Sequence, residues 1–160
     1  MMNTIFSYMK KKFLPVSIDI SNQKILIIGG GESAFKKLKI LKRFDAEIEV
    51  LAINVCENIK QSGVKYVERG YEKTLLKGYL MLYSCTNNFE LDKQILADGK
   101  EMGVLVNIHD KPELCQFVSP AIFQFKNFTV AVGSNAEDVY EAINLRNLIG
   151  EFLKEKYFKN

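Results

Sequence analysis

Three consecutive glycines, Gly29 to Gly31, separate an apolar run from a lysine-rich segment, and this junction most constrains the fold. Residues 25–28 read Ile-Leu-Ile-Ile, which is typical of a strand buried on both faces of a parallel sheet. Over residues 32–44, apolar side chains recur near helical spacing and lysines fill most other positions, which predicts an amphipathic helix. The sequence therefore predicts a strand, a tight turn and a helix in direct succession.

The same alternation continues along the chain. Residues 47–51 predict a second strand, which completes a βαβ unit of about thirty residues, the size of a right-handed crossover. Alternating strands and helices predict an α/β fold, a Rossmann-like doubly wound parallel sheet. The remaining elements predicted for this sheet are strands at residues 64–67, 79–85 and 104–108 and helices at residues 55–61 and 89–102.

After the fifth predicted strand the pattern changes. A strand pair and a single helix bury too little apolar surface to fold alone, so this part must pack on the first domain or on a second copy of itself. We expect residues 1–112 to form the Rossmann-like domain and residues 113–160 a small α+β dimerisation region, and we favour a homodimer. The elements predicted here are strands at 117–124 and 128–132 and a helix at 137–157, with Gly150 as a candidate breaking point.

Composition and charge disfavour several classes of protein. The formal net charge of +3 is small and basic residues are mixed with acidic ones, which argues against nucleic acid as the main ligand. Residues 1–15 lack the charge order of a signal peptide, and no apolar run reaches the roughly 18 residues that cross a bilayer. We therefore expect a cytoplasmic protein without a membrane span. Cys56, Cys85 and Cys115 have no C-x-x-C spacing, so we expect buried thiols rather than disulfides or a metal site.

Residues 29–34 match the pattern G-x-G-x-x-A at the place where a dinucleotide-binding fold requires it. Gly29 allows a tight turn, Gly31 lets the backbone approach a pyrophosphate, and Ala34 permits close packing of the helix on the strand. Free amides in the first helical turn would then hold the phosphates. A βα turn without a ligand can use glycines in the same way, but the position between a buried strand and a helix favours a dinucleotide.

The second predicted strand does not end in the acidic residue that usually binds the adenosine ribose. That strand runs into Ala52, Ile53 and Asn54, and no arginine lies there to bind a 2′-phosphate. Asn54 can replace the acid as a neutral hydrogen-bonding partner, so we favour NAD over NADP. The cofactor-binding residues predicted from this reasoning are Gly29, Gly30, Gly31, Glu32, Ser33, Ile53 and Asn54.

Four segments in chain order form a pattern more specific than the glycines alone. They are Phe-Leu-Pro-Val at 13–16, the glycine loop with Lys37, Cys-Thr-Asn-Asn at 85–88, and the stretch 106–121 with Asn-Ile-His-Asp at 107–110. Together they resemble the precorrin-2 dehydrogenases, the family that forms the N-terminal part of siroheme synthases. The resemblance implies NAD-dependent oxidation of precorrin-2 to sirohydrochlorin, in some members followed by iron insertion, in an intertwined homodimer.

Residue by residue, the resemblance implies that Asp110 is catalytic. Hydride removal from the macrocycle must be matched by loss of a proton, and a carboxylate after the fifth strand lies where an open α/β sheet binds its ligands. An Asp before Lys-Pro is also a common turn former. For His109, a partly buried or capping role is expected rather than a metal or base role. The resemblance further implies Thr86 as a cofactor-binding residue and Asn107, Ser134 and Arg146 as substrate-binding residues.

Two departures from the family pattern leave alternatives open. Residues 133–139 replace the usual Ser/Thr-Gly-Gly-x-Ser-Pro loop, and the chain ends at Asn160, before the helical segment that helps cover the tetrapyrrole in the family. The main alternative is a non-catalytic NAD-binding regulatory or partner protein of a tetrapyrrole-pathway enzyme. A generic dehydrogenase for a small substrate is the weaker alternative.

Overall fold

The computed structural model describes residues 11–157 and contains a five-stranded sheet in which every neighbouring pair of strands is parallel. The strands are β1 (Lys24–Ile28), β2 (Glu47–Ala52), β3 (Lys65–Glu68), β4 (Tyr79–Ser84) and β5 (Leu105–Ile108). The helices beside them are α1 (Glu32–Leu41), α2 (Glu57–Lys60) and α3 (Phe89–Met102). The order β3-β2-β1-β4-β5 confirms the predicted doubly wound sheet.

The core of the sheet lies around β1, the central strand. Residues 25–28 are all buried, because neighbouring strands flank β1 on both edges and the sheet carries helices. On α1, Ala34, Leu38 and Leu41 form the buried stripe that packs in the same apolar cluster. The strand order reverses between β1 and β4, and this is the point where open α/β sheets bind ligands at the carboxyl ends of their strands.

Several element bounds differ from the prediction for local reasons. The helix predicted over residues 32–44 is α-helical only to Leu41 and finishes as a 3-10 turn, after which Asp45 takes a left-handed φ of 54°. The predicted strand at residues 117–124 begins instead at Ala121, because Pro120 has no N–H to donate to a partner strand. Phe117, ahead of it, packs edge-on against the ring of Tyr83 at a centroid distance of 5.3 Å.

A second compact unit comprises residues 118–157 together with residues 11–16, whereas residues 17–117 form the first. It contains an antiparallel hairpin of β6 (Ala121–Phe125) and β7 (Phe128–Val132), followed by α4 (Val139–Tyr157). Gly150 does not break α4. A Cβ at this glycine would lie 3.0 Å from the ring of Phe123, so the residue allows the helix to pack closely on the hairpin. The assignment of residues 1–112 and 113–160 to cofactor binding and dimerisation stays a prediction.

One acidic side chain is buried within the sheet. Glu49 on β2 is 8% exposed and accepts hydrogen bonds from Lys65 Nζ (2.7 Å), Tyr79 Oη (2.6 Å) and Lys24 Nζ (3.2 Å). Burial alone would raise the pKa of Glu49, but the three donors outweigh it and lower this pKa to about 2. The carboxylate is therefore held in its charged form.

Within residues 11–157, no helix combines the length and the apolar character that crossing a membrane requires.

Candidate active site

Gly29 makes the sharp turn at the carboxyl end of β1. Its φ of +125° is one that side chains of L-residues rarely adopt, and a Cβ there would lie 2.5 Å from the carbonyl oxygen of Cys85. Its N–H donates to the carbonyl of Leu51 at 2.8 Å. The glycine therefore lets the chain leave the sheet tightly between β2 and β4.

Gly30 is a second position at which only glycine fits. A Cβ there would lie 2.0 Å from the carbonyl oxygen of Asn54. The Gly30 carbonyl also accepts a hydrogen bond from the Cys56 amide at 2.8 Å. The glycine loop and the loop after β2 are thus held against each other, a contact that the spacing of the motif does not reveal.

Gly31 precedes α1 and faces open space, because a Cβ built on it meets no atom within 4 Å. The Phe35 amide donates to the Gly31 carbonyl at 3.0 Å, so the amides of Glu32, Ser33 and Ala34 have no acceptor further back in the helix. These donors and the positive end of the helix dipole face a free volume, which is the arrangement that binds phosphate groups. The residues present therefore fit a dinucleotide pyrophosphate.

The loop after β2 carries Ile53, which is 74% exposed, and Asn54, which is also exposed. Glu68, at the end of β3, stabilises this loop, since its Oε1 accepts a hydrogen bond from the Val55 amide at 2.9 Å. That hydrogen bond, with help from Lys60 at 3.1 Å, keeps the pKa of Glu68 below its usual range. Glu68 was not predicted from the sequence, because only the β2–β3 register places it opposite Ala52.

Asp110 is the second residue after β5 and lies in a turn with a left-handed φ of 57°. Its side chain is 84% exposed, and one carboxylate oxygen lies 3.2 Å from Nε2 of His109. The structure thus places the predicted base at the carboxyl edge of the sheet, open to solvent. His109 is half-buried and paired with this carboxylate, a contact that the sequence analysis did not predict.

Lys37, on the second turn of α1, lies over the ring of Tyr83 with Nζ 4.6 Å from the ring centroid. Burial lowers the pKa of Lys37, and the nearby groups of Cys85, Cys115 and Asp110 partly oppose this effect. The helix that follows the glycine loop therefore directs one cation towards the Asp110 side of the sheet.

Asn107, predicted to bind substrate, is buried in β5. Its amide nitrogen donates to the carbonyl of Phe117 at 2.9 Å and lies 3.5 Å from Sγ of Cys115. Sγ of Cys115 also accepts from the Ile108 amide at 3.1 Å. In this arrangement Asn107 and Cys115 hold the segment that leaves β5, and the role of Asn107 towards substrate stays a prediction.

Asp92, in the first turn of α3, is 1% exposed and was not singled out from the sequence. Its Oδ1 accepts from the hydroxyls of Ser84 (2.7 Å) and Thr86 (2.8 Å), and its Oδ2 accepts from Lys111 Nζ (2.8 Å). The hydroxyl of Thr86 also accepts from the Asn88 amide at 3.2 Å, so this predicted cofactor residue has its side chain committed to the fold.

The other two predicted substrate residues belong to the second compact unit. Ser134 accepts from the Asp138 amide at 3.0 Å in the turn before α4. Arg146 on α4 donates to the Ile122 carbonyl at 3.1 Å and to the side chain of Asn147 at 2.8 Å. Both side chains help to organise this unit, and their roles towards substrate stay predictions.

All three cysteines are free thiols. Burial raises the pKa of Cys85 to about 11, although Lys37 opposes the shift, so this thiol is protonated at neutral pH. No group of three or more His, Cys, Asp or Glu side chains in residues 11–157 is arranged to hold a metal ion.

Comparison with known proteins gives matches over most of the chain. The family model described as "Putative NAD(P)-binding" matches residues 16–121. The siroheme synthase of Vesicomyosocius okutanii is 28% identical over 92% of this chain, and that of Azotobacter vinelandii is 31% identical over 78%. The chain spans 32% and 28% of the lengths of these two relatives. Among solved structures, SirC, a precorrin-2 dehydrogenase, matches with a TM-score of 0.70 at 20% identity, over 91% of this chain and 71% of that one.

Proposed function

The chain belongs to this NAD(P)-binding family, and on that premise we propose that it oxidises precorrin-2 to sirohydrochlorin with NAD as the hydride acceptor. The observation that carries the proposal is the extent of the match to siroheme synthases. It covers 92% of this chain, far beyond the glycine loop that many nucleotide-binding folds share. The chain corresponds to about a third of the length of that relative. The proposal is therefore limited to one step, the oxidation, with iron insertion as a separate proposal.

The residues around the glycine loop are those we propose to hold NAD. The amides of Glu32 and Ser33 bind the pyrophosphate, because they are unpaired donors beside the open face of Gly31. The loop of Ile53 and Asn54 contacts the adenosine end, and the absence of an arginine in that loop favours NAD over NADP. When bound, NAD supplies the acceptor for a hydride.

Thr86 contributes to the cofactor pocket through its backbone, because its hydroxyl already donates to Asp92 and accepts from Asn88. Its place directly after β4 puts it beside the point where the strand order reverses.

Asp110 is the proposed proton acceptor. Oxidation removes two hydrogens from the macrocycle, one as a hydride that passes to the nicotinamide and one as a proton that a base must accept. The carboxylate of Asp110 is exposed at the carboxyl edge of the sheet, with Nε2 of His109 at 3.2 Å.

A homodimer is the proposed assembly. On α4, the side chains of Leu145, Leu148 and Phe152 form an exposed apolar stripe at helical spacing, opposite the face that packs on the hairpin. A contiguous apolar helix face of this kind marks an interface. We propose that a second copy of the chain covers it.

We also propose that the chain inserts iron into sirohydrochlorin. In that step the carboxylate of Asp110 would accept pyrrole protons as the substrate metal enters, so one residue would serve both reactions. Anaerobic addition of Fe²⁺ to sirohydrochlorin, followed by absorbance, tests this part separately from the oxidation.

The oxidation is tested by anaerobic incubation of the chain with precorrin-2 and NAD, following the absorbance of sirohydrochlorin and of NADH. We expect both products to appear in equal amounts, because one hydride is transferred for each macrocycle oxidised. A chain that binds NAD and tetrapyrrole in titrations but forms neither product would contradict the proposal and favour the non-catalytic alternative.

A further inference from the structure

Three hydrogen-bond donors surround the buried carboxylate of Asp92. Ser84, Thr86 and Lys111 all act as donors, and together they use both oxygens of Asp92. An asparagine in its place would keep one oxygen acceptor for the two hydroxyls but would turn N–H donors towards the ammonium group of Lys111, so a carboxylate suits all three donors. The cluster is therefore built around one negative charge and one positive charge.

Stability alone is a poor explanation for this ion pair. Asp92 is 1% exposed and the side chain of Lys111 is 26% exposed, so forming the pair removes a carboxylate from water. Apolar side chains of similar size generally stabilise a fold as well as a buried ion pair does, because they avoid that desolvation. What the pair adds is a fixed position for the segments that it connects.

Lys111 is the residue after Asp110, and it is anchored twice. Its side chain reaches Asp92 on α3, and its amide donates to the Ile108 carbonyl at 3.3 Å. Asp110 itself is exposed and holds a left-handed backbone conformation that non-glycine residues seldom adopt. The position of its carboxylate therefore depends on how firmly Lys111 is held.

We infer that the buried Asp92–Lys111 ion pair positions Asp110 for proton transfer, and that through Thr86 it ties the turn after β4 to the same anchor. This inference rests on the proposed function, since it names Asp110 as the base. Asp92 and Lys111 are positioning residues and do not themselves contact the reacting atoms. Loss of the Lys111 end of the anchor should reduce turnover and leave cofactor binding unchanged, because Asp92 keeps its hydrogen bond with Thr86.

The test uses Lys111→Met, which keeps the aliphatic stem and removes the ammonium group. We expect kcat for precorrin-2 oxidation to fall by about tenfold or more, since small misplacements of a reacting group are costly, with KM and the Kd for NAD changed by less than about twofold. Lys111→Arg should restore most of kcat. The matched control is Lys93→Met on α3, beside Asp92, which removes an exposed pair with Glu90 and a contact with the ring of Phe89 and should leave kcat unchanged.

A double variant and amide hydrogen exchange complete the test. If Lys111→Met fails to fold, the double variant D92N/K111M, which removes both charges, should fold and show the same loss of kcat. Amide hydrogen exchange at residues 109–111 should be faster in either variant than in the parent, whether or not the parent is active.

The inference is overturned if kcat and exchange are unchanged, if KM rises in place of a fall in kcat, if Lys93→Met loses as much activity, or if Lys111→Arg restores none. If the parent does not oxidise precorrin-2, the proposed function fails and exchange alone decides. Faster exchange at residues 109–111 then supports the anchoring of the loop, and unchanged exchange overturns it.

Discussion

At the scale of single residues, charge and burial separate the acidic groups by role. Asp110 is exposed beside His109, so its carboxylate is accessible to a substrate. Glu49 and Asp92 are buried and surrounded by hydrogen-bond donors, and the donors around Glu49 lower its pKa to about 2. Burial thus separates a carboxylate that a ligand can reach from those that it cannot.

Asp110→Asn keeps the shape of the side chain and removes its basicity. We expect kcat for precorrin-2 oxidation to fall on the order of 10²-fold or more, with the Kd for NAD nearly unchanged. Stopped-flow absorbance and NAD titration measure the two quantities. Glu113→Gln, an exposed carboxylate a few residues further on, is the matched control. Oxidation by Asp110→Asn at the parental rate would show that another group is the base.

Glu49→Gln should alter how stability depends on pH. The pKa of Glu49 is about 2 in the folded chain and near 4.5 when unfolded, so its contribution is fully present above pH 4.5 and is lost as the pH falls towards 2. The contribution is about 3 kcal/mol at neutral pH, as an order of magnitude. Urea unfolding at pH 7 and pH 3 should show a smaller acid destabilisation in Glu49→Gln than in the parent.

The control for this measurement is Glu47→Gln on the same strand, whose side chain is mostly exposed and pairs only with Lys24 at 3.6 Å. Its acid destabilisation should match that of the parent. Equal curves for Glu49→Gln and the parent would contradict the role of the buried carboxylate.

At the scale of elements, the junction between β1 and α1 allows close packing of the chain and leaves space for a ligand. Gly29 and Gly30 let the chain pass close to the strands on either side, whereas Gly31 leaves space open beside the helix amides. The first two glycines are thus required by the protein itself. At the third, no atom of residues 11–157 excludes a side chain, which leaves space for a ligand.

Gly31→Asp should therefore fold and lose NAD. The new side chain has room in the free chain, but it would place a negative charge against the pyrophosphate and the helix amides. Gly31→Asn, of the same size without the charge, separates electrostatic from steric effects and should weaken binding less. Calorimetric titration with NAD and circular dichroism together check the prediction. Parental NAD affinity in a folded Gly31→Asp would place the cofactor elsewhere.

At the scale of the whole molecule, the apolar stripe on α4 bears on the proposed assembly. Leu148 and Phe152 are exposed on the face of α4 that the hairpin does not cover. Leu148→Glu with Phe152→Glu should shift a dimer towards monomer, because the charges cannot be buried unpaired in an interface. Light scattering at micromolar concentration measures the change, with Lys154→Glu as a control on the same helix. A parent chain that is already monomeric would contradict the homodimer.

The sequence by itself determined the order of the elements and the position of the glycine loop. Apolar periodicity and turn chemistry are local, and they specify β1, α1 and α3 within a few residues. The family pattern likewise placed Asp110 after β5, because it depends on residue order rather than on contacts.

Only the tertiary structure decided which side chains meet at the carboxyl edge of the sheet. Glu68 reaches the loop after β2 through the strand register, and Lys111 reaches Asp92 across the space between β5 and α3. Asn107, which the family resemblance implies as a substrate-binding residue, is buried and bonded to the carbonyl of Phe117, and its role towards substrate stays a prediction. Partners of this kind lie far apart in the chain, and no local periodicity encodes them. They follow from strand order and register, which arise only when the whole sheet assembles.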